Sequence, residues 1–302
     1  MRVKDQELKD LPLRLKMSIK KSRNLEDVFS TYDSSQIETK GNIEVTNSGN
    51  LKKAIKFYEN ELNKNELSHY KYFPFKQYNN KEAKSIILDS SELDQFLKLT
   101  TIHEEDKNYQ IVTGLILTQF IKNSNLKGNN NFELNPTTKF PLKQFGKYLT
   151  GENDPLKIEY NGCLIEPFIN SANLDLIING DIKENIGYGS NNCKFEINGA
   201  ILNTGFRNLK GAMIYLNGDI NLKYKLPSGK FNDSFRLMDK SYIIVKEIKK
   251  YRQLKSLFFR ARLAQMGFPG DTEYENHIIL QNRTGDKIKS KKVKTKIYFM
   301  RE

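Results

Sequence analysis

The feature that most constrains this chain is a fourfold register of Asn-Gly dipeptides: Asn161-Gly162, Asn179-Gly180, Asn198-Gly199 and Asn217-Gly218, with glycines 18, 19 and 19 residues apart. The same columns recur around each. Ile158, Leu176, Phe195 and Ile214 stand four residues before the glycine, Tyr160, Ile178, Ile197 and Leu216 two before it, and Leu164, Ile182, Ile201 and Ile220 two after it. A fixed period near twenty carrying period-2 apolar columns is the signature of stacked coils. Each coil supplies a strand whose alternate side chains point inward. Like residues then pile up into a narrow core. The glycine suits a sharp corner where φ can be positive and a Cβ would clash, and stacked asparagine amides can hydrogen-bond from coil to coil.

Other readings of the same residues fit less well. Hairpins with Asn-Gly turns need a second alternating strand straight after each turn, and here the apolar signal fades a few residues past the glycine. A hexapeptide helix needs an aliphatic residue every sixth position, but stepping six from Ile182 gives Tyr188 and Lys194. The calcium-binding nonapeptide roll needs Gly-Gly-x-Gly-x-Asp runs, which are absent. The sequence therefore predicts a right-handed parallel β-helix, a β-solenoid of about 18–19-residue coils.

Gly187-Tyr188-Gly189, Lys194 to Gly199, Gly205-Phe206 and Leu209 to Gly218 together resemble the glycine-rich β-helix called GXGXG. That domain closes the large subunit of glutamate synthase and makes up much of one of the subunits of formylmethanofuran dehydrogenase. The resemblance covers the central stretch of about 65 residues, in the register of a solenoid repeat. It departs from the family at Ala212, where a second glycine is expected, and at Asn192-Cys193, which stands for a glycine pair. It implies a scaffold role, since the family's β-helix packs against catalytic partners and carries no catalytic residue to transfer.

Charge is unevenly distributed. The 302 residues carry a net +13, a lysine and asparagine bias that an AT-rich genome also produces. Residues 155–220 hold 5 basic and 7 acidic side chains, whereas residues 240–302 hold 16 basic and 6 acidic ones. The excess is C-terminal. Two cysteines, Cys163 and Cys193, fall in different columns, so two reduced thiols and a cytoplasmic setting are expected. No apolar run is long enough to span a membrane, and the N-terminus lacks a signal-peptide core.

The chain divides into an N-terminal α/β unit (1–131), a β-helix with capping segments (132–239) and a C-terminal basic helix with short strands (240–302). In the first unit, a strand is expected at 42–45. A helix follows from Leu51 to Leu62, capped by Asn50. The aromatic run Tyr70 to Phe75 reads as core around a strand. A short strand at Ser85–Leu88 precedes a helix starting at Asp89-Ser90-Ser91-Glu92, and a buried helix runs near Tyr109–Lys122. Asn123–Asn131 reads as a linker. Phe140, Leu142, Phe145 and Leu149 are expected to cover the first coil, and Phe231, Phe235 and Leu237 the last. A helix over about 241–266 carries Ile244, Ile248, Tyr251, Leu254, Phe258 and Ala261 on one face and stops at Gly267 and Pro269. His277–Leu280 and Lys294–Met300 read as strands around a lysine-rich loop from Lys287 to Lys296.

No catalytic, metal or cofactor constellation emerges. His69, His103 and His277 are the only histidines, and none pairs with another ligand at metal-binding spacing. The acids after His103 read as a solvated helix start. There is no P-loop, nucleophile elbow or dinucleotide fingerprint. Candidate anion-binding residues are Lys246, Lys249, Lys250, Arg252, Lys255, Arg260, Arg262, Lys291 and Lys292. Three functions follow, in order of support. The first is a non-catalytic scaffold or accessory subunit that docks a protein partner or a second copy. The second is a nucleic-acid-associated protein using the basic segment, and the third an enzyme at the junction of the N-terminal unit and the solenoid. The scaffold reading calls for no cofactor and no membrane.

Overall fold

The computed structural model describes residues 49–63, 81–152, 154–202, 206, 208–221, 240–247, 249–250, 252–254, 272–281 and 287–297. The expected strand at 42–45, the aromatic run at 70–75 and the residues Phe231, Phe235 and Leu237 lie outside them. So do Lys255, Arg260 and Arg262.

The protein is a mixed α and β structure whose chain visits two sheets in turn. The first sheet holds β1 (Asn131–Leu134), β3 (Leu156–Tyr160), β5 (Leu174–Ile178), β7 (Lys194–Ile197), β9 (Met213–Leu216), β11 (Ser241–Val245), β12 (Thr272–Gln281) and β13 (Lys287–Ile297), in that order. Every neighbouring pair is parallel except β12 and β13. The second sheet stacks the two-residue strands β2 (Leu142–Lys143), β4 (Leu164–Ile165), β6 (Ile182–Lys183), β8 (Ile201–Leu202) and β10 (Ile220–Asn221), all parallel.

The apolar columns are in register. Phe132, Ile158, Leu176, Phe195, Ile214, Ile243 and Ile278 oppose one another strand by strand, as do Leu134, Tyr160, Ile178, Ile197, Leu216, Val245 and Leu280. On the second sheet Leu142, Leu164, Ile182, Ile201 and Ile220 do the same. Nearly all are buried, and each large apolar side chain contributes roughly 1.5–3 kcal/mol. On β13 the two long columns end in Lys291 and Lys289, opposite Ile278 and Leu280. Charged residues at the inward positions of an edge strand stop further pairing.

Among the described residues, four α-helices precede the sheets: α1 (Gly49–Leu62), α2 (Lys81–Ser85), α3 (Ser90–Thr100) and α4 (Tyr109–Asn125). The start of α3 is a capping box, with Asp89 accepting from the Glu92 N–H at 2.8 Å and Glu92 accepting from the Asp89 N–H at 2.9 Å. The expected face of α1, from Leu51 to Leu62, is buried against α3 and α4. Asn50 lies inside α1 instead of capping it and donates to the Ile87 carbonyl.

Several expectations are corrected. Ser85–Leu88 is the end of α2 followed by an unpaired segment. Ile86 and Leu88 are buried as a strand's would be, but their carbonyls accept from the side chains of Asn123 and Ser124 on α4, leaving nothing for a neighbouring strand. Asn123–Asn125 therefore belong to α4, not to a linker. Leu142, Phe145 and Leu149 are interior residues of a first repeat that begins at Asn131, while Phe140 is 42% exposed and covers nothing. Residues 241–245 are strand β11, not helix, because Ile243 and Val245 continue the two apolar columns. Among the described residues of this segment, 249–250 and 252–254 are helical. The lysine-rich segment 287–296 is strand β13, paired along β12, not a loop.

The ends of the array are closed by helices. At the first repeat, α3 lies along β1, where Ser90 Oγ accepts from the Glu133 N–H (3.2 Å) and Asp94 from the Asn135 N–H (2.7 Å). Helix α4 lies against β2, and Thr118 Oγ1 accepts from the Gly146 N–H at 2.8 Å. At the other end Lys250 donates to the Asn217 carbonyl (2.5 Å) and Gln253 to the Ile220 carbonyl (2.7 Å). These side chains supply the bonds that a further strand would have made.

Candidate functional site

The corner after each long strand carries an amide ladder. Asn161 donates to Asn135, Asn179 to Asn161, Asn198 to Asn179 and Asn217 to Asn198, at 2.5–2.7 Å. The remaining amide hydrogen of Asn179 goes to Glu159 (2.9 Å) and that of Asn217 to Glu196 (3.2 Å). These asparagines tie one repeat to the next, and their chemistry is spent on that. The glycines beside them answer to the Cβ clash expected at these corners, not to positive φ. Gly162, Gly180, Gly199 and Gly218 do not occupy the positive-φ region. They are required by close approach, since a Cβ on Gly180, Gly199 or Gly218 would strike the carbonyl of the corner glycine one repeat earlier.

Positive φ occurs at other corners. Gly187, Gly189 and Gly211 have φ of 62°, 74° and 62°. Adjacent repeats place Phe168, Asn170 and Asn192 there, with φ of 56°, 52° and 50°. Asparagine tolerates this region best among non-glycine residues, which accounts for Asn192 standing where a glycine-rich repeat would have glycine.

A third left-handed corner holds a cluster in which a carboxyl pKa is raised and a lysine pKa lowered. Gln144, Glu166 and Glu184, with φ of 57°, 48° and 67°, occupy equivalent positions on successive repeats. Lys143 Nζ lies 3.7 Å from Glu166, and Lys147 Nζ donates to Gln144 at 3.2 Å. Partial burial, followed by the neighbouring Glu166, raises the Glu184 pKa. Burial lowers that of Lys147, against the pull of Glu166. A carboxyl of raised pKa and a lysine of lowered pKa at one corner are the kind of shifted groups that proton-exchanging sites use. The cluster sits where β2 meets α4, beside Gly114, whose missing side chain lets α4 lie on the Lys143 carbonyl.

The outer face of the first sheet carries two charged columns. Lys157, Asp175 and Lys194 form one, and Glu133, Glu159, Ile177 and Glu196 the other. Lys194 pairs with Asp175 at 3.2 Å. Toward β11 the columns become apolar. Met213 and Tyr242 oppose each other, 39% and 40% exposed. Tyr215 donates to the Met213 sulfur at 3.0 Å, and Lys194 lies 5.8 Å over its ring. The sequence signal for this patch is the replacement of charge by Met and Tyr in outward columns, which a reading of the columns for their apolar inner face passes over.

The basic residues divide. Lys250 is 5% exposed and held by Asn217 and Glu247, which makes it a structural cap and removes it from the anion-binding candidates. Lys246, Lys249, Arg252 and Lys291 are exposed. Lys292 lies on β13, opposite His277. Cys163 is exposed and Cys193 buried, both free, and burial pushes the Cys193 thiol up to about 11. Among the described residues no three His, Cys, Asp or Glu side chains are grouped to hold a metal ion, and no helix is long and apolar enough to cross a membrane. Family models, curated proteins and solved structures give no match to the chain.

Proposed function

We propose that the chain is a non-catalytic scaffold or accessory subunit, built on a β-solenoid similar to the GXGXG domain, that docks a protein partner on the outer face of its long sheet. The alternation of strands between two parallel sheets and the left-handed Gly187, Gly189 and Gly211 support the solenoid part of this reading. The observation that carries the docking part is the patch of exposed Met213 and Tyr242 with the half-buried Tyr215, where outward columns that are charged elsewhere turn apolar. Aromatic and methionine side chains are enriched at the cores of protein interfaces. The test is a pull-down of tagged full-length protein, nuclease-treated and washed at about 300 mM salt, where phosphate-mediated contacts are weak. The expected result is one stoichiometric partner retained by the wild type and lost by Met213→Glu/Tyr242→Glu. A partner held equally by both proteins, or none, contradicts the reading.

A second reading, an enzyme at the junction of the N-terminal unit and the solenoid, rests on the opposed shifts of Glu184 and Lys147. It requires Glu184→Gln and Lys147→Met to abolish a common activity while leaving thermal unfolding unchanged.

A further inference from the structure

Sequence-distant basic residues meet at one end of the long sheet. Val245 lies beside Leu280, and Leu280 beside Lys289, so Lys246 follows at the same end as Gln281 and its partner Lys287. The helical residues join them there, because Lys250 and Gln253 bond Asn217 and Ile220, just beyond the Leu216 that pairs with Val245. With Lys250 and Gln253 turned inward, Lys249 and Arg252, each one position earlier, are left exposed. Lys287, Lys289 and Lys291 are exposed too, and Ile288, at the irregularity between them, is 55% exposed. Among the described residues of 245–254, 278–281 and 287–291, Glu247 is the one acid, and it pairs with Lys250.

We infer that Lys246, Lys249, Arg252, Lys287, Lys289 and Lys291 form a track for the phosphate backbone of a nucleic acid, bound without regard to sequence. The cations are spaced out: Lys289 and Lys291, two apart on β13, are separated by about 6.7 Å, and β13 lies two strand spacings, about 10 Å, from β11. Spaced, exposed cations suit a polymer with repeated charge, whereas a small anion needs donors that converge on one point. The composition also distinguishes the partner. Protein interface cores deplete lysine and enrich aromatics, and this track is lysine-rich with Ile288 as its one exposed large apolar residue. Lys246, Lys249, Arg252 and Lys287 lie at the Val245 end of the strands and Met213 and Tyr242 at the other, so the inference stands whether or not that patch docks a protein.

The test uses full-length protein and a fluorescent 20-nucleotide single strand and 20-base-pair duplex, read by anisotropy across about 50–300 mM salt. Lys246→Glu/Lys249→Glu/Arg252→Glu and, separately, Lys287→Glu/Lys289→Glu/Lys291→Glu are compared with Lys157→Glu/Lys183→Glu/Lys210→Glu, which makes the same charge change elsewhere. Thermal melts confirm that each variant folds. Each track variant is expected to weaken binding at least about tenfold and to flatten the salt slope by about 2–3, with the control changing less than about twofold. Three results would overturn the inference: no salt-dependent binding by the wild type, equal weakening by the control, or equally tight binding to polyglutamate or to phosphatidylserine vesicles.

Discussion

At the first repeat the groups left over by the sheets are N–H donors, and they are met by acceptors: Ser90 and Asp94 on α3, Thr118 on α4. At the last repeat of the paired corners they are carbonyls, met by the donors Lys250 and Gln253. The first end is covered by two long helices with a shared aromatic core, in which Tyr58, Phe96 and Phe120 meet edge to face. At the other end the long sheet runs on through β11 to a lysine-bearing hairpin whose inward positions, Lys289 and Lys291, are charged. Among the described residues, one end is closed by two long helices, the other by the bonds of Lys250 and Gln253, the buried Leu254 and the charged Lys289 and Lys291. Both oppose end-on growth of the array.

The comparison can be broken most severely at Gly114. A valine there would run into the Lys143 backbone and lift α4 from the first repeat. We expect a loss of about 3 kcal/mol, seen as a large fall in the thermal midpoint. Thr118→Val keeps the shape but strands the buried Gly146 N–H, for about 1–3 kcal/mol, measured by urea unfolding. At the opposite end Lys250→Met removes the bonds to Asn217 and Glu247 together with a buried charge. The two effects offset, so about 1 kcal/mol or less should be lost; a cost as large as that of Gly114→Val would mean the two ends are closed alike.

The packed end also carries a pH signature. Burial holds His103 below its usual pKa of 6.5, so the unfolded chain takes up the proton first as pH falls. Its contribution is complete above about pH 6.5 and is lost as pH falls from there toward the lower folded-state value. Wild type should therefore lose more stability than His103→Gln between about pH 7.5 and 5.5, as measured by denaturant titration at each pH. The smallest effect on the monomer is expected from Lys289→Val/Lys291→Val. These changes extend the apolar columns to an open edge, so association rises with concentration, read by light scattering, with little change in unfolding at low concentration.

The columns are legible because a period of 18–19 residues and strict alternation act on the same residues, from Ile158 to Ile220. The first repeat is hidden by its length, since Asn135 precedes Asn161 by 26 residues and is followed by proline instead of glycine. β11 reads as helix in the sequence because Ile244 is buried along with Ile243 and Val245, which blurs the alternation, while Ile248 and Tyr251 complete a helical spacing. The glycine column is visible, but its cause is not: φ and close approach select the same residue, and only the stacked backbones separate them. The capping side chains carry no local signal at all. Ser90, Asp94, Thr118 and Lys250 acquire their partners only when elements 28–43 residues distant come to rest beside them.

The most direct test of the closed array is native-state hydrogen exchange at the end amides. The account predicts that Glu133, Asn135 and Gly146, though at the margin of their sheets, are protected to within about tenfold of Leu176 in the middle, because side chains complete their bonding. Exchange of these three at the rate of exposed amides, with Leu176 protected, would contradict it.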